Sequence, residues 1–184
     1  MSFILLGILN SQVSPGGGAP AYDLLQSTIL TSSASSVTFS SIPSDYKHLQ
    51  IRYTAKNTGG AFQLNVVVNN DTTTQRSSHD LRGQGSAVQS SASTFITNFP
   101  LYFGITTSTG GDSFAAGVVD ILDYANTNKN TTMKSFHGQT YPNTMVYLSS
   151  GLYPQTGAIT DIKFQPSGNS LAVGSRFSLY GIKG

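Results

Sequence analysis

Between Asp45 and Lys56 the chain alternates apolar and polar side chains. Leu49, Ile51, Tyr53 and Ala55 fall on one face of an extended segment, and His48, Gln50, Arg52 and Thr54 on the other. Period two is the pattern of a strand with one buried face. Val37-Thr38-Phe39 precedes it across the turn Ser41-Ile42-Pro43-Ser44. Phe62, Leu64, Val66 and Val68 alternate with Gln63, Asn65, Val67 and Asn69, and Asn57-Thr58-Gly59-Gly60 between the two runs reads as a hairpin turn. The same grammar predicts a first strand near 26–31 and further strands at 95–98, 101–106, 131–139, 145–150, 158–165 and 176–183. Pro100 marks an edge or a bend. Phe114–Asp123 is apolar almost throughout, as expected of a central strand buried on both faces. Residues 70–93 are polar, and they predict a long loop with a short strand near His79–Arg82.

Strands thus recur about every 8–14 residues with turn signals between them. The predicted fold is all-β, an antiparallel β-sandwich or jelly roll preceded by an extended N-terminal arm. Residues 1–14 form the arm, with Phe3, Ile4, Leu5, Leu6, Ile8 and Leu9 as its apolar anchor. Residues 15–21, which include Pro15-Gly16-Gly17-Gly18-Ala19-Pro20, form a linker, since glycines resist ordering and prolines cannot join a ladder. Residues 22–184 form the sandwich. The arm lacks the positive n-region and the small-x-small site of a signal peptide, so it is expected on the mature protein. It either folds back on its own sandwich or docks on a partner or neighbouring subunit.

Composition agrees with strands and narrows the chemistry. Charged residues make up 10% of the 184, against a norm of about 25%. All eight acids are aspartates, so solvated helix faces are short of their usual residues. Net charge is +2 and the basic residues stand singly, which leaves no footprint for nucleic acid or a membrane surface. There is no cysteine, hence no disulfide, thiol nucleophile or thiolate metal site.

The chemistry-bearing residues form no recognisable set. His48, His79 and His137 lie far apart in the chain, without metal-ligand spacing. Asp120 and Asp123 point to opposite faces of a strand, which argues against an acid/base pair. Asp123, Asn126, Asn128 and Asn130 gather oxygens in one loop, a weak calcium candidate without the Gly and Glu of an EF-hand. No Gly-x-Ser-x-Gly elbow occurs, and Gly16-Gly17-Gly18 lacks the Lys of a phosphate loop. The expectation is a non-enzymatic protein without cofactor or metal. Tyr141 and Tyr153, read as turn residues, are candidates for touching a sugar or a protein partner, although each could simply pack on its own loop.

Two ends of the chain carry a resemblance. Ser2-Phe3-Ile4-Leu5-Leu6-Gly7-Ile8-Leu9-Asn10-Ser11-Gln12 with its Gly-rich link, and Gly174-Ser175-Arg176-Phe177-Ser178-Leu179-Tyr180-Gly181-Ile182-Lys183, resemble the opening and closing segments of small structural proteins of tailed bacteriophages, notably those of cyanobacteria and marine bacteria. Tyr46–Arg52 and Val119–Tyr124 resemble the same group. The resemblance implies a virion location after assembly in the host cytoplasm, either as a capsid decoration (cement) protein or as a tail fibre or appendage protein. It implies a homotrimer, with the major capsid protein or another virion protein as partner, and in the tail alternative a host surface glycan.

Overall fold

The computed structural model describes residues 21–73, 76–140 and 144–184. Twelve strands account for most of them: β1 Tyr22–Ile29, β2 Val37–Phe39, β3 His48–Ala55, β4 Leu64–Val68, β5 Arg76–Gln84, β6 Ala87–Ile96, β7 Phe99–Leu101, β8 Ala115–Leu122, β9 Thr131–Gln139, β10 Met145–Tyr153, β11 Ile162–Pro166 and β12 Arg176–Ile182. A single 3-10 turn covers Ser108–Gly110. The strands form an eight-stranded sheet in the order β1-β12-β3-β8-β9-β10-β5-β6 and a four-stranded sheet in the order β2-β11-β4-β7. Every pairing in both ladders is antiparallel. The chain changes sheet repeatedly, and the result is a jelly-roll-like sandwich.

The alternation at β3 does what its pattern requires. Leu49, Ile51, Tyr53 and Ala55 are buried between the sheets, and Arg52 and Thr54 point to solvent. β3 lies between β12 and β8, with Ile51 opposite Leu179 and Val119. Ile162 and Phe164 of β11, and Leu64, Val66 and Val68 of β4, face these residues from the small sheet, and all are buried. Tyr53, Phe164 and Phe177 cluster at ring separations of 5.1–6.1 Å, which gives this end of the core its aromatic centre.

Several expectations need correction. Asn57–Gly60 is no hairpin turn, because β4 leaves β3 altogether and joins the small sheet between β11 and β7. The crossing is held by Asn57, fully buried, whose amide donates to the Gly168 carbonyl and whose Oδ1 accepts from the Gly59 N–H. The polar stretch 70–93 is no loop. It contains β5 and most of β6, paired over their length across a two-residue turn at Gly85-Ser86, where Gly85 takes φ +57°. β1 starts at Tyr22 rather than near 26. β8 is central but buried on one face only, since Ala116 is exposed and Val118 and Asp120 are half-buried. Pro100 does sit in an edge strand, β7.

The small sheet meets the far half of the large one closely at β7. Phe99 of β7 lies on Gly151 of β10, where an added Cβ would stand 2.4 Å from the ring. Gly151→Ala is therefore expected to cost roughly 1–3 kcal/mol by overpacking. It should appear as a melting temperature lowered by several degrees, with the strand signal in circular dichroism unchanged.

Candidate functional site

Strand register places the outward side chains of the large sheet in rows. One row runs Val118, Phe136, Leu148, Leu81 across β8, β9, β10 and β5. The next runs Ala116, Gly138, Val146, Gly83, Val88 and reaches β6. Phe136, Leu148, Leu81, Val146 and Val88 are 43–75% exposed, so five large apolar side chains share one open face. The small residues of the second row make a trough beside them. A Cβ on Gly138 would stand 2.3 Å from the Met145 carbonyl oxygen, so only glycine fits there. The trough encloses about 780 Å³, with Phe136, Val118 and Val146 among its walls and Thr140, Thr144 and Met145 at its end.

A polar row borders this face. Gln50 donates to Asp120 Oδ1 at 2.8 Å, and Arg52 Nε donates to Gln50 Oε1 at 2.8 Å. The Arg52 guanidinium lies 4.9 Å from the Tyr180 ring centroid and 5.5 Å from that of Tyr22. These contacts hold Arg52 at the trough's edge. Asp120 thus works as a structural acceptor, and no group of three or more His, Asp, Glu or Cys gathers around it among the described residues.

The remaining candidates disperse. His48 Nδ1 accepts from the Asp123 backbone N–H at 2.9 Å. His79 is exposed on the outer face of β5. His137 is buried on the inner face of β9, where Nε2 donates to the Tyr102 carbonyl at 2.9 Å and Nδ1 accepts from the Ser135 hydroxyl at 3.1 Å. Burial lowers its pKa to about 4, so it is neutral at pH 7. The Asp123 carboxylate meets the ammonium groups of Lys47 and Lys129, and those partners hold its pKa low. Asn126 Oδ1 accepts from the Asn128 N–H. The side-chain oxygens of Asp123 and Asn126 are thus engaged within the chain. Among the described residues no group of three or more His, Asp, Glu or Cys comes together.

Tyr153 requires correction. It ends β10 rather than occupying a turn, and it is 3% exposed beneath the Arg76 guanidinium, 4.9 Å from its ring centroid. It presents no surface to a partner. Tyr141 and the arm residues Phe3, Ile4, Leu5, Leu6, Ile8 and Leu9 lie outside the described residues. The apolar face was missed because exposed Phe, Leu and Val resemble core residues in a sequence. One signal was available: Met145-Val146-Tyr147-Leu148 is apolar at both parities, which marks a strand with two apolar faces.

The inner face beneath this patch mixes polar side chains with Met133, Met145, Tyr147 and Tyr153. Asp80 of β5 is 2% exposed, beside Ser149 across the strand pair, and neither carboxylate oxygen finds a hydrogen-bond partner among the described residues. Desolvation pushes its pKa up.

No protein-family model matches the chain. No curated protein matches it either. Among solved structures, a galectin of Caenorhabditis elegans aligns over 86% of this chain and 96% of its own, at 8% identity and a TM-score of 0.31. A protein of unknown function from Shewanella oneidensis aligns over 90% and 80% respectively, at 13% identity and a TM-score of 0.30. Likenesses this distant add nothing to what the strands themselves establish.

Two buried groups give opposite pH signatures. Unfolded His137 binds a proton near the ordinary histidine value of 6.5 and the folded chain binds it only near 4, so stability falls as pH drops through that window, by about 3 kcal/mol in all. His137→Gln should flatten this slope in urea melts between pH 7 and pH 4. Asp80 holds its proton more tightly when folded, so its contribution is lost as pH rises above the ordinary carboxylate range. Asp80→Asn should melt above the parent at pH 7, with the gap closing toward pH 4.

Proposed function

We propose that the chain is a non-enzymatic structural protein of a tailed-phage particle. In this reading it is a capsid decoration or cement protein, held by its N-terminal arm, with the β-domain associated as a homotrimer and turned outward. The observation that carries the reading is the apolar face of Phe136, Leu148, Leu81, Val146 and Val88 on adjacent strands. A solitary soluble domain covers such a face, and a module built for assembly leaves it open. The low charge of the chain supports the same reading, because neighbouring copies can pack at high density without repulsion. The partners would be further copies of the chain and the major capsid protein or another virion protein.

The second reading is a tail fibre or baseplate-attached module that contacts host surface glycan. Arg52 between Tyr22 and Tyr180, at the border of a trough, favours it, since sugars are held by aromatic faces and planar charged donors.

Copy number separates the two. Densitometry of purified particles should give this 19.5 kDa band at a simple fraction of the major capsid protein. A ratio of a few per cent moves the protein to the tail, and absence from particles overturns both readings. Deleting residues 2–14 should leave a folded domain that no longer joins the particle, and unchanged incorporation would refute the arm's role.

A further inference from the structure

The two edges of the large sheet are unlike. β1, at one edge, is broken by a register shift between Leu24 and Gln26, an irregularity of the kind that blunts an edge. β6, at the other, pairs with β5 in unbroken register from Ala87 to Thr94. Its irregularity comes only after Thr94, where Phe95 takes φ +57°. The run Ala87-Val88-Gln89-Ser90-Ser91-Ala92-Ser93-Thr94 holds no charge and no proline, and almost all of it is exposed on both faces. None of the usual protections of an edge is present.

The two-residue turn fixes which backbone groups are free. Gln84 and Ala87 flank it and exchange hydrogen bonds, as in hairpins of this loop length. The alternation then points the N–H and C=O groups of Val88, Ser90, Ala92 and Thr94 away from β5, toward the open side.

We propose that the apolar arm Phe3–Leu9 of one copy pairs as an added strand on the β6 edge of a second copy. The proposal deepens the reading above by naming the arm's partner. Three observations support it. The seven arm residues match the length of the eight-residue flat run. Neither segment carries a charged side chain, so nothing repels, and the arm's apolar groups on one face would extend the patch of Val88 and Leu81. Finally, the chain enters the described fold at β1, the opposite edge of the same sheet. Seven strand spacings, roughly 34 Å, separate it from β6. Residues 10–21 span about 20 Å as an average coil and about 40 Å at full stretch, so a neighbour's edge is the easier target. Such a contact joins unlike surfaces, and it closes by reciprocal exchange in a pair or around a ring of copies.

The test is the mass of the full chain by light scattering after gel filtration at micromolar concentration. The parent should run at a multiple of 19.5 kDa. Ala92→Pro removes an outward N–H without touching the β5 ladder and should reduce the mass to that of one chain. Leu5→Asp combined with Ile8→Asp should do the same. A monomeric parent, or a folded variant that keeps the parent's mass, overturns the proposal. A second measurement does not depend on the proline variant folding. The native chain has no cysteine, so chains carrying Ser90→Cys can be mixed with chains carrying Leu5→Cys, Leu6→Cys or Ile8→Cys and oxidised. A disulfide between arm and edge in at least one mixture is expected. Linkage of Ser90→Cys chains only to each other would mean that β6 pairs with β6, and it overturns the arm assignment. Failure here is read in solution mass, whereas failure of the phage reading is read in particle copy number, so the two are distinguishable.

Discussion

A four-stranded sheet cannot cover an eight-stranded one, and most features of this molecule follow from that mismatch. Where β2, β11, β4 and β7 lie over β12, β3 and β8, the interior is apolar and aromatic, with Tyr53, Phe164 and Phe177 at its centre. Over β10 and β5 the small sheet is represented by its edge strand β7. Phe99 of β7 reaches Gly151, the backbone at Tyr102 reaches His137, and Phe103 stacks on Tyr147 at 5.9 Å. The inner face there is built from Ser78, Asp80, Ser135, His137 and Ser149 instead of Leu and Val.

A polar inner face is stable only if its groups find partners. Arg76, 2% exposed at the start of β5, does so fully: it donates to the carbonyls of Thr73, Thr97 and Asp71 and meets the Asp71 carboxylate at 3.3 Å. It ties the entry to β5 to the exit from β6. His137 is satisfied as a neutral ring. The Asp80 carboxylate and the hydroxyls of Ser78 and Ser149 find no such partner among the described residues, and the opposing pH signature of Asp80 follows from that position between uneven sheets.

What the sequence revealed follows the same division. β3 was legible because one face is buried and one is largely wet, so hydropathy records the pleat. β5 and β6 were not, because one is polar inside and the other is covered on neither face, and hydropathy alternation has nothing to record. Their clue was local: the turn pair Gly85-Ser86 between two polar runs without apolar rhythm. The hairpin assigned to Asn57–Gly60 was wrong because turn chemistry states that the chain reverses, not which sheet receives it. Tyr153 was misplaced for a related reason, since a tyrosine ahead of a proline resembles a turn whether or not a buried arginine lies over its ring. The apolar outer face was legible only as an excess, in strands such as β10 where both parities are apolar.

That excess sits over the same half of the sheet whose inner face is polar. Along β9, β10 and β5, Phe136, Val146, Leu148 and Leu81 point outward, while Ser78, Asp80, Ser135, His137 and Ser149 point inward beside Met133, Met145, Tyr147 and Tyr153. A strand pair that places Leu81 and Leu148 toward solvent and Asp80 and Ser149 toward the interior is not optimised for an isolated domain. It becomes consistent when a further surface lies against the outer face, since burial there supplies the hydrophobic stabilisation that the inner face lacks. The unprotected edge of β6 adjoins that face, so one neighbouring chain could satisfy both. The local inversion of inside and outside is thus the strongest physical reason for regarding this sandwich as one part of a larger assembly.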